Sequence, residues 1–299
     1  MGLPLVSIVI PSYKASHFEQ CIKSAIGQTY PNLEIMVSDN CPTEDIRDVC
    51  ARYPQVLYQR NPGTGNKNVL SAFYSGKGDL IKPLFDDDIL HPFCVERMVA
   101  TMNMDPEIHL VFSASHVINF DNERVAPRRA FEVSGSMPGS DLQRSLVMGE
   151  RNFVGEFSTI MFRRDRLWEI GPNRLFHYGA RNFSFGLADV VAYINLAGAD
   201  KVFYIDEELS YFRKDKRLQS NSNYRNNTGV GRNLSDSIDL LIESYDAGVV
   251  SFEELQSLQE RVDGIPAELN GVFPMITEAQ QRYHDYLARP RPQHNFSGA

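Results

Sequence analysis

Two periodicities of apolar residues alternate along the first half of the chain. Val6-Ser7-Ile8-Val9-Ile10 is a short β-branched run broken at Pro11, and it reads as a buried first strand. Ser16-His17-Phe18-Glu19 has capping-box spacing, and Phe18, Ile22, Ala25 and Ile26 then recur at helical intervals, which predicts an amphipathic helix. Leu33 to Ser38 predicts a second strand, Thr43 to Arg52 a second helix, and Val56 to Gln59 a short third strand before Asn61-Pro62-Gly63. A helix from Asn66 to Ser75 leads into an apolar segment that ends on Asp86-Asp87-Asp88. This β-α-β-α-β order predicts a mainly parallel sheet with right-handed crossovers, in which ligands bind at the carboxyl ends of the strands.

The pattern then loosens. Pro92 to Met104 reads as a helix and His109 to Ser113 as a strand, while 120–140, polar and carrying Pro127, Gly135, Pro138 and Gly139, reads as a long surface loop. Phe157 to Phe162 predicts a strand, Leu187 to Ala197 a helix, and Val202 to Ile205 another strand. From 231 onward only helical patterns remain, and Ser251 to Glu254 and Thr277 to Gln280 both have capping-box spacing. Leu240, Leu241 and Tyr245 form one apolar stripe and Leu255, Leu258 and Val262 another. Such stripes serve either as core or as an interface with a second subunit or an acceptor carrier. The last residues, Arg289 to Ala299, are rich in Pro and polar side chains and read as a disordered tail.

Composition narrows the class. A length of 299 residues suits one large α/β domain or a domain with an appendage, and 42% hydrophobic with 23% charged residues is an ordinary globular balance. The net charge of −8 argues against a nucleic-acid partner. Cys21, Cys41, Cys50 and Cys94 lack C-x-x-C spacing, so reduced thiols in a cytoplasm are expected rather than zinc or disulfides. The N-terminal apolar run is too short to span a membrane and lacks the flanks of a signal peptide, and Val6 stands where a myristoylation motif needs Ser or Thr. Arg128-Arg129 and Arg163-Arg164 are either solvated faces or contacts with an anionic membrane surface.

The candidate chemistry gathers at one place. Adjacent carboxylates repel, so Asp86, Asp87 and Asp88 at a strand end point to a hard divalent cation, which for Mg²⁺ commonly arrives with phosphate; the alternative is a turn and helix cap. Pro11-Ser12-Tyr13, Asp39-Asn40 and Asn66-Lys67-Asn68 fall on the same expected sheet edge. Tyr13 offers a ring to stack on a nucleobase, Asp39 can accept the imide N–H of uracil or thymine, and Lys67 can approach a diphosphate. Each also has a structural role open to it, as a packing residue, a turn former and a solvated charge.

Read in order, these segments resemble the inverting GT-A glycosyltransferases of family 2 over roughly residues 4–220. The resemblance rests on Val6 to Tyr13, Val37-Ser38-Asp39-Asn40, Asn61-Pro62-Gly63 with Asn66-Lys67-Asn68, and Lys82 to Asp88. It continues in Gly155 to Thr159, Ala188-Asp189 and Tyr204 to Arg213. It implies an α/β GT-A fold, a Rossmann-like, mainly parallel mixed sheet flanked by helices, with a C-terminal helical appendage. The implied division is a catalytic domain over 1–229 (nucleotide-sugar half 1–115, acceptor half 116–229), helices over 230–288 and the tail over 289–299.

The resemblance also implies roles. Pro11, Ser12, Tyr13, Asp39, Asn66, Lys67, Asp86 and Asp87 match donor-binding positions, and the aspartate run matches the D-x-D motif. Reading D-x-D directly selects Asp86 and Asp88, whereas aligning on L-D-x-D-D makes Asp87 the metal ligand. Asp189 matches the general base, although stabilising a helix N-terminus would also employ an Asp there. The implied cofactor is Mn²⁺ or Mg²⁺, held by Asp87, Asp88 and Asp215. Asp215 stands where many relatives carry a His, and Lys214 and Lys216 could instead offset phosphate charge directly. The donor is expected to be a UDP- or dTDP-sugar and the acceptor a hydroxyl of a surface polysaccharide, lipopolysaccharide or glycoprotein glycan. A cytoplasmic location, with peripheral contact at the inner membrane face and a homo-oligomeric state both open, accompanies this. Glu156, where relatives often have Pro or a small residue, either binds an acceptor hydroxyl or pairs with Arg163 or Arg151. The competing classes are a Mg²⁺-dependent nucleotidyltransferase and a non-catalytic nucleotide-sugar-binding scaffold.

Overall fold

The computed structural model describes residues 2–149, 152–214 and 229–289. Its elements run β1 (Val6–Ser12), α1 (Phe18–Ile26), β2 (Leu33–Asp39), α2 (Asp45–Cys50), β3 (Val56–Arg60), α3 (Asn66–Ser75), β4 (Leu80–Pro83), β5 (Ile89–Leu90), α4 (Cys94–Met102) and β6 (Ile108–Ile118). There follow β7 (Arg124–Arg128), β8 (Gly135–Pro138), α5 (Gly139–Met148), a 3-10 turn (Phe157–Thr159), β9 (Ile160–Arg163), α6 (Arg164–Ile170), β10 (His177–Tyr178), β11 (Arg181–Asn182), α7 (Ala188–Ala197) and β12 (Lys201–Arg213). The chain ends in α8 (Gly229–Asp246), α9 (Phe252–Ser257), α10 (Gln259–Asp263), α11 (Ala267–Val272) and α12 (Pro274–Leu287). The described residues fall into two compact units, one within Met1–His177 and Ala188–Ser220, the other within Tyr178–Leu187 and Asn221–Ala299.

The first unit is an α/β layer structure. Its sheet has the order β3-β2-β1-β4-β9-β6-β12-β5, with β7 on β6 and β8 on β12. β1 pairs in parallel with β2 and β4, and β2 with β3, so the carboxyl ends of these strands share one edge. Every residue of β1 is buried, as a central parallel strand covered on both faces requires. Ile8 and Ile10 join Phe18, Ile22 and Ala25 of α1 in the core, so the apolar stripe of α1 is the face it lays on the sheet. β9 runs antiparallel between β4 and β6, and β6 then pairs in parallel with β12.

Several sequence expectations change. Residues 120–140 hold two strands rather than one loop, because β7 and β8 add antiparallel partners to β6 and β12. Phe157–Thr159 is a 3-10 turn, and the strand starts only at Ile160. Neither Ser16 nor Thr277 caps a helix: α1 begins after His17, and α12 begins at Pro274, whose missing N–H suits a first turn. Ser251 does cap α9, with both arms of the capping box formed to Glu254.

In the second unit α12 packs along α8, with Leu240, Leu241, Leu255 and Val262 buried and Tyr245 and Leu258 partly so. The stripes are therefore core within this unit. Tyr178–Leu187 belongs with these helices because Glu243 accepts from Ala180 N and Arg181 Nε, and Asp239 accepts from Arg181 and Arg282. Apart from Arg289, the expected tail lies outside the described residues. Among the described residues no helix is long and apolar enough to cross a membrane. The basic pairs are largely engaged internally: Arg128 with Glu156, Arg129 with Asp206, and Arg163 with the carbonyls of Ile108 and Met102.

β4 carries an unusual core residue. Lys82 is fully buried, and its Nζ donates to the carbonyls of Pro83 (2.8 Å) and Ser158 (2.7 Å). Burial pushes its pKa down to about 8 from 10.5. Between those values the unfolded chain holds a proton that the folded one has released, so this residue's contribution to stability rises with pH. The stability of the wild type relative to Lys82→Met should therefore climb between pH 8 and 10.5, by at most about 1.4 kcal/mol per pH unit. Urea denaturation of both proteins across that range measures it, and a flat difference would refute it.

Candidate active site

The shared carboxyl edge of β1, β2 and β4 gathers the polar residues. Pro11 and Ser12 are buried at the end of β1, and Tyr13 beyond them is 55% exposed. Asp39 ends β2 fully buried. Its Oδ1 accepts Cys41 N (2.7 Å), and its Oδ2 accepts the Tyr58 hydroxyl (2.8 Å) and Arg60 Nη1 (2.7 Å). The carboxylate expected to meet an imide N–H is thus already held by protein donors. Arg60, which also bonds the carbonyls of Cys41 and Thr43, supplies the accessible group at this corner.

Asn66 and Lys67 open α3, and Lys67 is exposed. The residue that organises the corner is Asn68, 3% exposed. Its Nδ2 donates to Ser38 O and Asn40 Oδ1 (both 2.9 Å), and its Oδ1 accepts from Ser38 Oγ (2.7 Å) and Asn61 Nδ2 (2.9 Å). One buried amide, with its donors and acceptor all engaged, ties the end of β2 to the loop before α3.

The three aspartates are buried and point to three different partners. Asp86 Oδ2 accepts the backbone N–H of Tyr13 and of Lys14, both at 2.6 Å. Asp87 Oδ2 accepts Lys14 Nζ at 2.7 Å. Asp88 accepts Ser158 Oγ (2.5 Å) on Oδ2 and Arg213 N (3.1 Å) on Oδ1. Burial, then the charge of Asp87, pushes Asp86 up to about 6 and drives Asp88 well above the carboxylate range. Arg213, 3% exposed, fixes the turn from behind: Nε donates to Asp87 O, Nη1 to Asn119 O and Phe120 O, and Nη2 to Gln20 Oε1 and Asn122 Oδ1.

A second acidic group lies on the other half of the unit. Asp189 sits in the first turn of α7, where its Oδ1 accepts Val190 N (2.8 Å) and its Oδ2 accepts Asn152 Nδ2 (2.9 Å). Asn152 Nδ2 also donates to Gly155 O (2.8 Å), and its Oδ1 accepts Val154 N and Gly155 N. Gly155 has φ +97°, and a Cβ there would come within 3.0 Å of Thr159 Cγ2, so this loop requires glycine. Burial, followed by the charge of Glu156, raises Asp189 to about 6, against the opposing bond from Val190 N. Glu156 also bears on Asp88. Among the described residues its partner is not Arg163 but Arg128, through a two-pronged ion pair, and Arg128 also donates to Ser115 Oγ (2.9 and 3.1 Å); Arg151 lies outside the described residues. The sequence reads Arg128 as a solvated face or a membrane contact, because its segment reads as a loop.

A hard cation fits part of this site. Asp87 pushes up both neighbouring carboxyls, and the Lys14 ammonium stands in as its counter-charge. Asp88 is turned inward, which leaves Asp87 the more available ligand. Asp215 lies outside the described residues. Among the described residues no group of three or more His, Cys, Asp or Glu is arranged to hold a metal ion, so a cation at Asp87 would take further ligands from water and diphosphate oxygens, as Mg²⁺ does.

The family model for glycosyl transferase family 2 matches residues 7–171, and the chain belongs to that family. An uncharacterized protein of Mycobacterium tuberculosis is 28% identical over 222 residues, 70% of this chain and 67% of that protein. Chondroitin synthase of Escherichia coli is 32% identical over 128 residues, which are 40% of this chain but only 18% of the synthase. Hyaluronan synthase of Pasteurella multocida is 30% identical over 130 residues, 42% of this chain and 13% of that protein. In fold the chain is similar to S. aureus TarS 1-349 in complex with UDP-GlcNAc, with TM-score 0.59 and 13% identity over 95% of this chain and 89% of that one. Membership makes the protein a glycosyltransferase, and the family implies a nucleotide-sugar donor and a glycan acceptor.

Asn68→Ala should cost about 2 kcal/mol or more, because it strands buried partners around the corner. Denaturation midpoints measure the loss, and a change under about 0.5 kcal/mol would mean that the network is not holding the edge.

Proposed function

We propose that the protein moves a sugar from a UDP- or dTDP-sugar to an acceptor hydroxyl of a surface glycan by single in-line displacement with inversion. The observation that carries this reading is Asp189, fixed on both oxygens and raised to about 6, in a family 2 transferase. A carboxylate with this elevated basicity accepts a hydroxyl proton while remaining ionised at neutral pH. Asn152 and Val190 N–H fix its orientation, and no enzyme nucleophile is required.

Tyr13 stacks on the base, with Asp39 acting through Arg60, and Pro11, Ser12, Asn66 and Lys67 complete the nucleotide edge. Asp86 holds the Tyr13-Lys14 backbone in place for that contact. Mn²⁺ or Mg²⁺ on Asp87, with Asp88 and Asp215 as the other expected ligands, would supply Lewis-acid stabilisation of the departing diphosphate. Lys14 then becomes available to pair with phosphate oxygen. Release of nucleoside diphosphate rather than pyrophosphate, from a panel of nucleotide sugars, separates this reading from a nucleotidyltransferase, and any turnover separates it from a scaffold.

Asp189→Asn keeps the shape and removes the base, so kcat should fall about 10²-fold or more with donor binding little changed. Near-wild-type turnover would reassign the base. Activity should rise with pH through about 6, because the base works only when deprotonated. Glu156→Gln removes a charge that raises this group, so its activity profile should move to lower pH; an unmoved profile would refute the coupling. Chelation should abolish turnover and Mn²⁺ or Mg²⁺ restore it, whereas full activity in excess EDTA sinks the metal reading.

A further inference from the structure

Within the first unit, a cavity of about 190 Å³ opens among Ser113, Ser115, Arg128, Arg129, Asn152 and Phe153. Its wall is rich in hydrogen-bond donors. Two guanidinium groups line it, whereas their carboxylate partners, Glu156 and Asp206, are not part of the lining. Ser113 is 3% exposed, and its Oγ has no hydrogen-bond partner among the described residues. That hydroxyl is closed off from the open space and offers an occupant no contact. Arg128 is committed to Glu156 and Ser115, but Arg129 is 44% exposed, bonds Asp206 through Nη1, and has Nη2 only 3.8 Å from Glu208. Phe153, packed against Phe112 and Phe131, gives one apolar wall suited to the C–H face of a sugar.

Asn152 connects the cavity to the chemistry, since it lines the space and holds Asp189 at 2.9 Å. We propose that this cavity is the subsite for an acceptor sugar carrying an anionic group, a carboxylate or a phosphate ester, with Arg129 as its charge partner. Its assignment to the acceptor rests on reading Asp189 as the base. The small volume admits one ring rather than an extended chain. An anion with only acceptor oxygens matches a donor-rich wall better than a neutral polyol does, because charge-assisted bonds to guanidinium are the stronger ones.

Binding of three probes to the full chain, followed by saturation-transfer NMR without donor, tests the proposal. Methyl β-glucuronide or glucose 6-phosphate should bind at least about tenfold more tightly than methyl β-glucoside, and the two anions distinguish carboxylate from phosphate. Arg129→Gln should abolish the preference without weakening the glucoside, and Arg129→Lys should retain much of it. Equal binding of the three, binding of none, or a preference unchanged in Arg129→Gln overturns the proposal. The readout needs no turnover, so a preference that persists while Asp189→Asn keeps full activity supports the anion subsite and removes only the reading of the base.

Discussion

The burial of three consecutive carboxylates is the constraint around which the catalytic unit is arranged. Asp86, Asp87 and Asp88 are each at most 8% exposed, and like charges so close cannot all ionise cheaply. The chain meets the cost by giving each a different partner: the backbone after β1, the Lys14 ammonium, and Ser158 with the backbone of Arg213. Three segments distant in sequence are therefore fixed against one turn. The turn itself is held by Arg213 from behind and by Phe85 N donating to Ser158 Oγ at 3.0 Å. Compensation is incomplete, as the raised Asp86 and Asp88 show, and that residual is what a cation on Asp87 would relieve.

Ser158 also explains the buried lysine. Lys82 Nζ bonds the Ser158 carbonyl while the Ser158 hydroxyl bonds Asp88, so the lysine fixes the residue that fixes the aspartate. A core of apolar side chains could fill the same space, but it would leave the carbonyls of Pro83 and Ser158 without this donor. Glu156, two residues earlier, plays the reciprocal part. Its charge raises both Asp88 and Asp189, and it is paired with Arg128, so one ion pair bears on both acidic centres.

Much of this was legible in the sequence where local pattern and final structure agree. The alternation of β1, α1, β2 and α3 followed from apolar period alone, and the start of α3 at Asn66 is as expected. The aspartate turn, Tyr13 and Asp39 were visible as polar residues at strand ends, whereas Asp189 entered only through the family resemblance. What escaped were groups whose role depends on long-range pairing. Arg60 lies at the last position of β3, where periodicity carries no signal, and Arg128 lies on a strand made stable only by β6. Lys82 reads as polar in an apolar strand, and only the neighbouring turn explains it. β-strands added at a sheet edge draw their stability from partners rather than from propensity, which is why 120–140 resembled a loop.

The length of β12 shows how the two halves are brought to one turn. Val202–Ile205 matches the short strand expected, yet the strand runs on to Arg213, and its parallel register with β6 shifts between Ile205 and Glu208 and again between Glu208 and Ser210. Such irregularities insert residues and re-aim side chains. Here they place Asp206 against Arg129 and Glu208 beside Arg124 and His116, along the strand that then delivers Arg213 to Asp87 and Asp88. A regular strand would keep a strict period of two from Val202 onward and would change which face receives Arg213. The bulged register thus lets one strand serve both sides of the site, holding Arg129 at the cavity through Asp206 and the aspartate turn through Arg213.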